Sequence, residues 1–260
     1  MHKKDLIYKN LFSFKNFGFT LAEVLITLAI IGVVAAMTLP TLIQNQQKRS
    51  LEVATQKFYS NMSQAVKKYM ADEGVDDLRN TPLAGDNYED SSSTEAIASI
   101  QDFLTKYLKV VGECNYKTKE CFAKKYNLWN GNYNEYANFT ENHSNDAWNN
   151  ERSYVLADGA VIRIGYYGDQ TYPGPIDLYV DINGRKGPNR VGYDLWSMSI
   201  FYDGSIDEGE LTPECRKENK CDRTNSSAEE REYRFENCKG DDAYGGCFGH
   251  FLENGFKFDY

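Results

Sequence analysis

Between Phe19 and Ile43 the chain runs FTLAEVLITLAIIGVVAAMTLPTLI, with one charge, Glu23. A helix over this stretch would be about 37 Å long at 1.5 Å per residue, enough for a hydrocarbon core of about 30 Å. The residues before it carry Lys3, Lys4, Lys9 and Lys15 against Asp5. Basic flanks stay in the cytoplasm, which predicts that everything after the span is exported. Three readings fit such a start: a signal peptide cut near Val34-Ala35-Ala36, a plain signal anchor, and a leader removed ahead of a retained membrane helix. Glu23 separates them. An acid inside a membrane helix is costly, and such residues are rare and functional. A signal peptide or a plain anchor has no use for one.

The segment Lys15-Asn16-Phe17-Gly18-Phe19-Thr20-Leu21-Ala22-Glu23-Val24, opening a Leu- and Ile-rich helix, resembles the prepilin cleavage and methylation motif. Type IV pilins and type II secretion pseudopilins share that motif. The resemblance covers roughly the first fifth of the chain. It departs from the usual pattern where Asn16 and Phe17 part the last lysine from Gly18. It implies that prepilin peptidase cuts after Gly18 and methylates Phe19, the new N-terminus. It also implies that Glu23, fifth in the mature chain, acts in subunit assembly.

After Lys48-Arg49, apolar positions recur every three or four residues: Leu51, Ala54, Phe58, Met62, Ala65 or Val66, and Tyr69. That spacing predicts an amphipathic continuation of the same helix, ending near Glu73 with Gly74 as C-cap. From Phe19 the helix would be about 80 Å long. The domain scheme is therefore a leader over 1–18, a long helix over 19–74 (membrane-spanning 19–43, amphipathic 44–74) and an exported head over 75–260. Pro40 lacks an N–H for the Ala36 carbonyl and is expected to kink or loosen the helix, as a site of extension or as a harmless proline near the membrane exit.

In the head, residues 75–93 read as a polar loop, and Ser92 with Glu95 as a capping box. Ile97, Ile100, Phe103, Leu104, Tyr107 and Leu108 then mark one helical face. Residues 112–152 carry no clear period. From Tyr154 the period becomes 2. Tyr154–Ala157 and Ala160–Ile164 flank Asp158-Gly159, a hairpin with a two-residue type I′ turn. Strands are expected over Ile176–Ile182 and Trp196–Tyr202, with a turn at Asp203-Gly204. Four antiparallel strands with one apolar face would cover the amphipathic half of the helix. The fold class is α+β: a pilin-like long N-terminal helix packed on an antiparallel sheet, with a disulfide-pinned C-terminal region and a last edge strand.

All six cysteines lie beyond the anchor, between Cys114 and Cys247. An even number fits a disulfide framework in an oxidising compartment, and the spacings lack the close C-x-x-C pairs of zinc sites. Six cysteines allow 15 pairings. Short loop closure points to Cys114–Cys121, Cys215–Cys221 and Cys238–Cys247.

Functional chemistry is sparse. No phosphate loop, nucleophile elbow or zinc-protease motif occurs. Adjacent acids such as Asp76-Asp77 and Glu229-Glu230 read as solvated faces. Asp181-Ile-Asn183-Gly184 and the following Gly- and Asn-rich run to Asp194 offer oxygen ligands on a tight loop, which suits calcium through Asp181, Asn183 and Asp194. The competing reading is a turn whose Asp and Asn accept backbone hydrogen bonds, with no cofactor. A net charge of −9 argues against nucleic acid as the main partner.

The function expected is structural, not enzymatic: a pilin, minor pilin or pseudopilin that assembles through its N-terminal helix. Its partners would be itself, other pilins, prepilin peptidase and the inner-membrane assembly platform. The precursor would be single-pass in the inner membrane with its head extracytoplasmic, then part of a filament in the periplasm or at the cell surface. The alternative is a membrane-tethered binding protein or adhesin that does not polymerise.

Overall fold

The computed structural model describes residues 18–83, 94–115, 121–135, 152–165, 176–221, 223–240 and 245–260. The leader to residue 17 and the proposed cap residue Ser92 lie outside the described residues. The chain divides into two compact units, one ending at Gln46 and one covering Gln47–Tyr260.

Helix α1 (Leu21–Glu73) begins in the first unit and continues through Pro40 as helix. In that unit the apolar side chains are exposed on every side, Ile31, Val34 and Leu42 among them. Such a helix has no core of its own to face and requires a nonaqueous or protein environment. In the second unit α1 is amphipathic. Leu51, Phe58, Met62, Ala65, Val66, Tyr69 and Met70 are buried. The helix stops where Gly74 takes a φ of 69°, with Val75 N–H donating to Met70 O at 3.0 Å and Gly74 N–H to Ala71 O. This is the paired-bond C-cap that glycine permits.

A short 3₁₀ turn (Leu78–Asn80) follows, capped by Asp77, which also pairs with Arg79. Helix α2 (Thr94–Tyr107) lays Phe103 and Tyr107 against Tyr69. The sheet contains β1 (Val110–Asn115), β4 (Arg152–Leu156), β5 (Val161–Gly165), β6 (Ile176–Asp181), β7 (Leu195–Ile200) and β8 (Ile206–Asp207), all antiparallel and in that order. Strands β2 (Lys125–Asn127) and β3 (Tyr133–Glu135) form a separate pair. Among the described residues the main sheet thus has six strands, not four. Strands β1 and β8 add the edges.

Register puts Ile162, Leu178, Met198 and their neighbours Val180 and Trp196 on one face, where they join the α1 residues in a single core. The β4–β5 connection differs from the expected two-residue turn. Gly159 N–H bonds Leu156 O, Leu156 N–H bonds Ala160 O, and only Gly159 has positive φ. Type I′ needs two such residues, so the loop is three residues with glycine at the bulge.

The C-terminal region is helical: α3 (Pro213–Glu218), α4 (Ser227–Lys239) and α5 (Cys247–Glu253). The last edge strand expected there does not form; a turn over 254–256 leads into a tail whose Lys257, Phe258 and Tyr260 bond to Glu52 and Lys48 of α1. Burial also overturns one reading of adjacent acids, because Glu230 is 1% exposed and pairs with Arg234 at 3.3 Å. On β8, Asp207 takes two bonds from Arg231, at 2.8 and 2.7 Å. Glu208 is buried and accepts the backbone N–H groups of Gly246 and Gly249 at the start of α5. Its burial raises the carboxyl above its usual range despite those bonds. These acids fasten α4 and α5 to the sheet edge.

Candidate functional site

The candidate site is the start of α1. Gly18 has nothing within 4 Å of the position a Cβ would take, and Phe19 is 85% exposed. Among the described residues no side chain packs against the position a Gly18 Cβ would take. Thr20 is the residue from which the helix starts, since Val24 N–H donates to Thr20 O at 3.2 Å. Glu23 N–H donates to Thr20 Oγ1 at 3.2 Å. In return Glu23 Oε2 accepts from Thr20 N–H and from Thr20 Oγ1, both at 2.8 Å. That is a reciprocal capping box, and its acid also complements the positive end of the helix dipole.

Thr20 is therefore the helix cap, a part that the motif reading passed over. The T-x-x-E spacing that signals a capping box was present at Thr20–Glu23. The carboxylate is held within one turn of Phe19, and beyond it the helix has no charge until Lys48. Chemically the arrangement can do two things. It satisfies an acid inside a single subunit, and it keeps that acid beside the amine that cleavage would create.

The structure joins Cys114 to Cys121, Cys215 to Cys221 and Cys238 to Cys247, with Cα–Cα distances of 5.9, 4.6 and 5.5 Å. No cysteine is free. The first bridge fixes β1 to the segment leading into β2. The second closes the turn after α3, and the third ties α4 to α5.

The 181–194 loop gathers Asp181, Asn183 and Asp194, and its acids are engaged by the chain itself. Asp194 accepts Asn189 N–H at 2.7 Å and Arg190 N–H at 2.6 Å. Asp181 accepts Asn183 N–H at 3.2 Å and the Tyr126 hydroxyl. Burial pushes the Asp181 carboxyl up to about 8, helped by the nearby Asp194, and pushes Asp194 up to about 6. The hydrogen bonds these acids accept offset part of the cost of burying them. Among the described residues no group of three or more His, Cys, Asp or Glu is arranged to hold a metal. These contacts describe a turn pinned by its own acids, the alternative to a calcium site.

Comparison with known proteins adds the following. Residues 13–39 match the prokaryotic N-terminal methylation motif, the signature of type IV pilins and pseudopilins. Residues 41–127 match a family of unknown function (DUF6613). No curated protein and no solved structure matches the chain. Among the described residues one helix, α1, is long and apolar enough to cross a membrane. With the methylation motif at its start, it fits a single-pass anchor, and the motif implies processing by prepilin peptidase.

Proposed function

We propose that the protein is a structural subunit of a type IV pilus-like filament: a pilin, minor pilin or pseudopilin, cleaved after Gly18, methylated on Phe19 and polymerised through α1. The observation that carries this reading is Glu23, the one charge on the apolar stretch of α1 before Lys48, held one turn from the residue that processing would leave first. In the precursor the capping box satisfies the carboxylate within its own chain. After cleavage a neighbour's Phe19 amine competes for it. Between apolar helices such a pair has low dielectric around it, so attraction is strong, and an unpaired charge costs correspondingly more. The pairing would set the axial stagger between subunits. A tether that never polymerises would use the acid only to cap its own helix.

The test is Glu23→Gln in the native host. Membrane insertion and cleavage at Gly18 should persist while sheared filaments fall at least tenfold. Filaments at the parental level would remove the ground for preferring a polymer over a tether.

A further inference from the structure

Within the Gln47–Tyr260 unit, four large apolar side chains among the described residues are strongly exposed: Val53, Val111, Tyr133 and Tyr233. Two of them stand on helices, and their surroundings are opposite in charge. Val53, 62% exposed on α1, lies one turn from Arg49 and one turn from Lys57, both exposed. Among the described residues neither cation has an ion-pair partner. Tyr233, 46% exposed on α4, stands among Glu229, Glu232 and Glu236, all exposed. Glu236 pairs with Lys239 and Glu229 accepts the N–H of Asn225, while Glu232 has no such bond.

The two faces match in length as well as sign. Arg49 to Lys57 is eight residues of helix, about 12 Å, and Glu229 to Glu236 is seven, about 10.5 Å. Each is a row of neighbours at three- and four-residue spacing with an apolar side chain near its middle.

Resting on the filament reading above, we infer that the Arg49–Val53–Lys57 face of one subunit docks on the Glu229–Glu232–Tyr233–Glu236 face of a second copy of this chain. Val53 and Tyr233 supply the apolar contact that leaves water. Exposed ion pairs add little affinity singly, but opposite rows fix orientation and disfavour wrong alignments. The occupant is a second copy because one chain carries both halves of the match. A subunit that presents the two faces on different helices forms a heterologous contact, which builds an open fibre when its rotation does not close a ring.

Charge reversal with rescue in the native host tests this, using the full-length chain and its own assembly machinery. R49E/K57E and, separately, E232K/E236K should each lower sheared filament yield at least tenfold while accumulating in the membrane at the parental level. The four changes combined should restore yield to within about threefold. A second arm does not depend on tolerance of the reversals. Chains bearing Val53→Cys and chains bearing Tyr233→Cys, co-expressed with tags of different size, should form a mixed disulfide dimer on oxidation. Parental filaments unaffected by both reversals, or loss without rescue together with no mixed dimer, would overturn this pairing and leave the filament reading standing. A parental chain that makes no filament would overturn the filament reading, and this surface with it.

Discussion

The backbone N–H of Phe258 donates to the Glu52 carboxylate at 3.0 Å, across 206 residues of chain. Lys257 Nζ reaches the other oxygen at 2.9 Å, and Lys48 Nζ meets Tyr260 O at 2.5 Å. Around this clasp Phe256 packs on Tyr59, and Phe258 on Trp196 and Tyr193. Glu52 is 8% exposed, so removing it leaves the part-buried N–H of Phe258 without its acceptor, while the exposed Lys257 ammonium returns to water. Glu52→Ala should destabilise the head by about 1–3 kcal/mol. Thermal unfolding of the detergent-solubilised protein measures that change, and carboxypeptidase should trim residues 254–260 faster. Unchanged unfolding and trimming would show that the aromatic contacts alone hold the tail.

Processing changes the charge of the protein as well as its length. The leader carries four lysines and one aspartate, so its removal takes the net charge from −9 to −12. Mass spectrometry of protein from the native host should find N-methyl-Phe19 as the first residue. An intact Met1, or a terminus at Met37, would sink the prepilin assignment.

Asp177 sits opposite Ser199, whose hydroxyl donates to it at 2.5 Å. Desolvation outweighs that bond and pushes the carboxyl up to about 6. A raised carboxyl favours the fold while protonated, and the advantage is lost as pH rises from about 3.8 in the unfolded chain through 6 in the folded one. Asp177→Asn lacks this titration. Its stability relative to the parent should therefore improve by roughly 2 kcal/mol between pH 4 and pH 7. Parallel stability curves for the two proteins over that range would contradict the shift.

Calcium should leave the unfolding temperature unchanged, because the acids of the 181–194 loop already accept hydrogen bonds from Asn183, Asn189, Arg190 and Tyr126. A rise in the presence of millimolar calcium, reversed by chelation, would make Asp181, Asn183 and Asp194 ligands after all.

Local pattern carried the sequence reading where burial has one direction. Phe58, Met62 and Val66 recur at helical spacing because a single face of α1 is covered, and Leu178 and Val180 alternate because one sheet face meets that helix. Helix α4 offered no such stripe. Of its buried residues Glu230, Phe235 and Cys238, one is an acid. The helix is held by Arg231 on Asp207 and Arg234 on Glu210, contacts that leave the helix. The tail misled for a different reason. Phe256, Phe258 and Tyr260 alternate as a strand would, yet Phe256 sits at a φ of 60° and the rings pack on aromatic neighbours, not beside a strand. At the N-terminus the pattern for Thr20 was present, but an exposed cap one residue past a cleavage site leaves no apolar trace.

The clasp at Glu52 has a mechanical consequence. The disulfides join cysteines only 7, 6 and 9 residues apart. At about 3.4 Å per extended residue, each withholds roughly 20–30 Å of chain. They cannot stop the head from unravelling if α1 is pulled away from it. The hydrogen bonds from Phe258 and Lys257 to Glu52 lie between the helix and the last residues of the chain, and so bypass everything folded between them. Tension entering along α1 meets this short polar link and the aromatic pack beside it before it reaches the sheet.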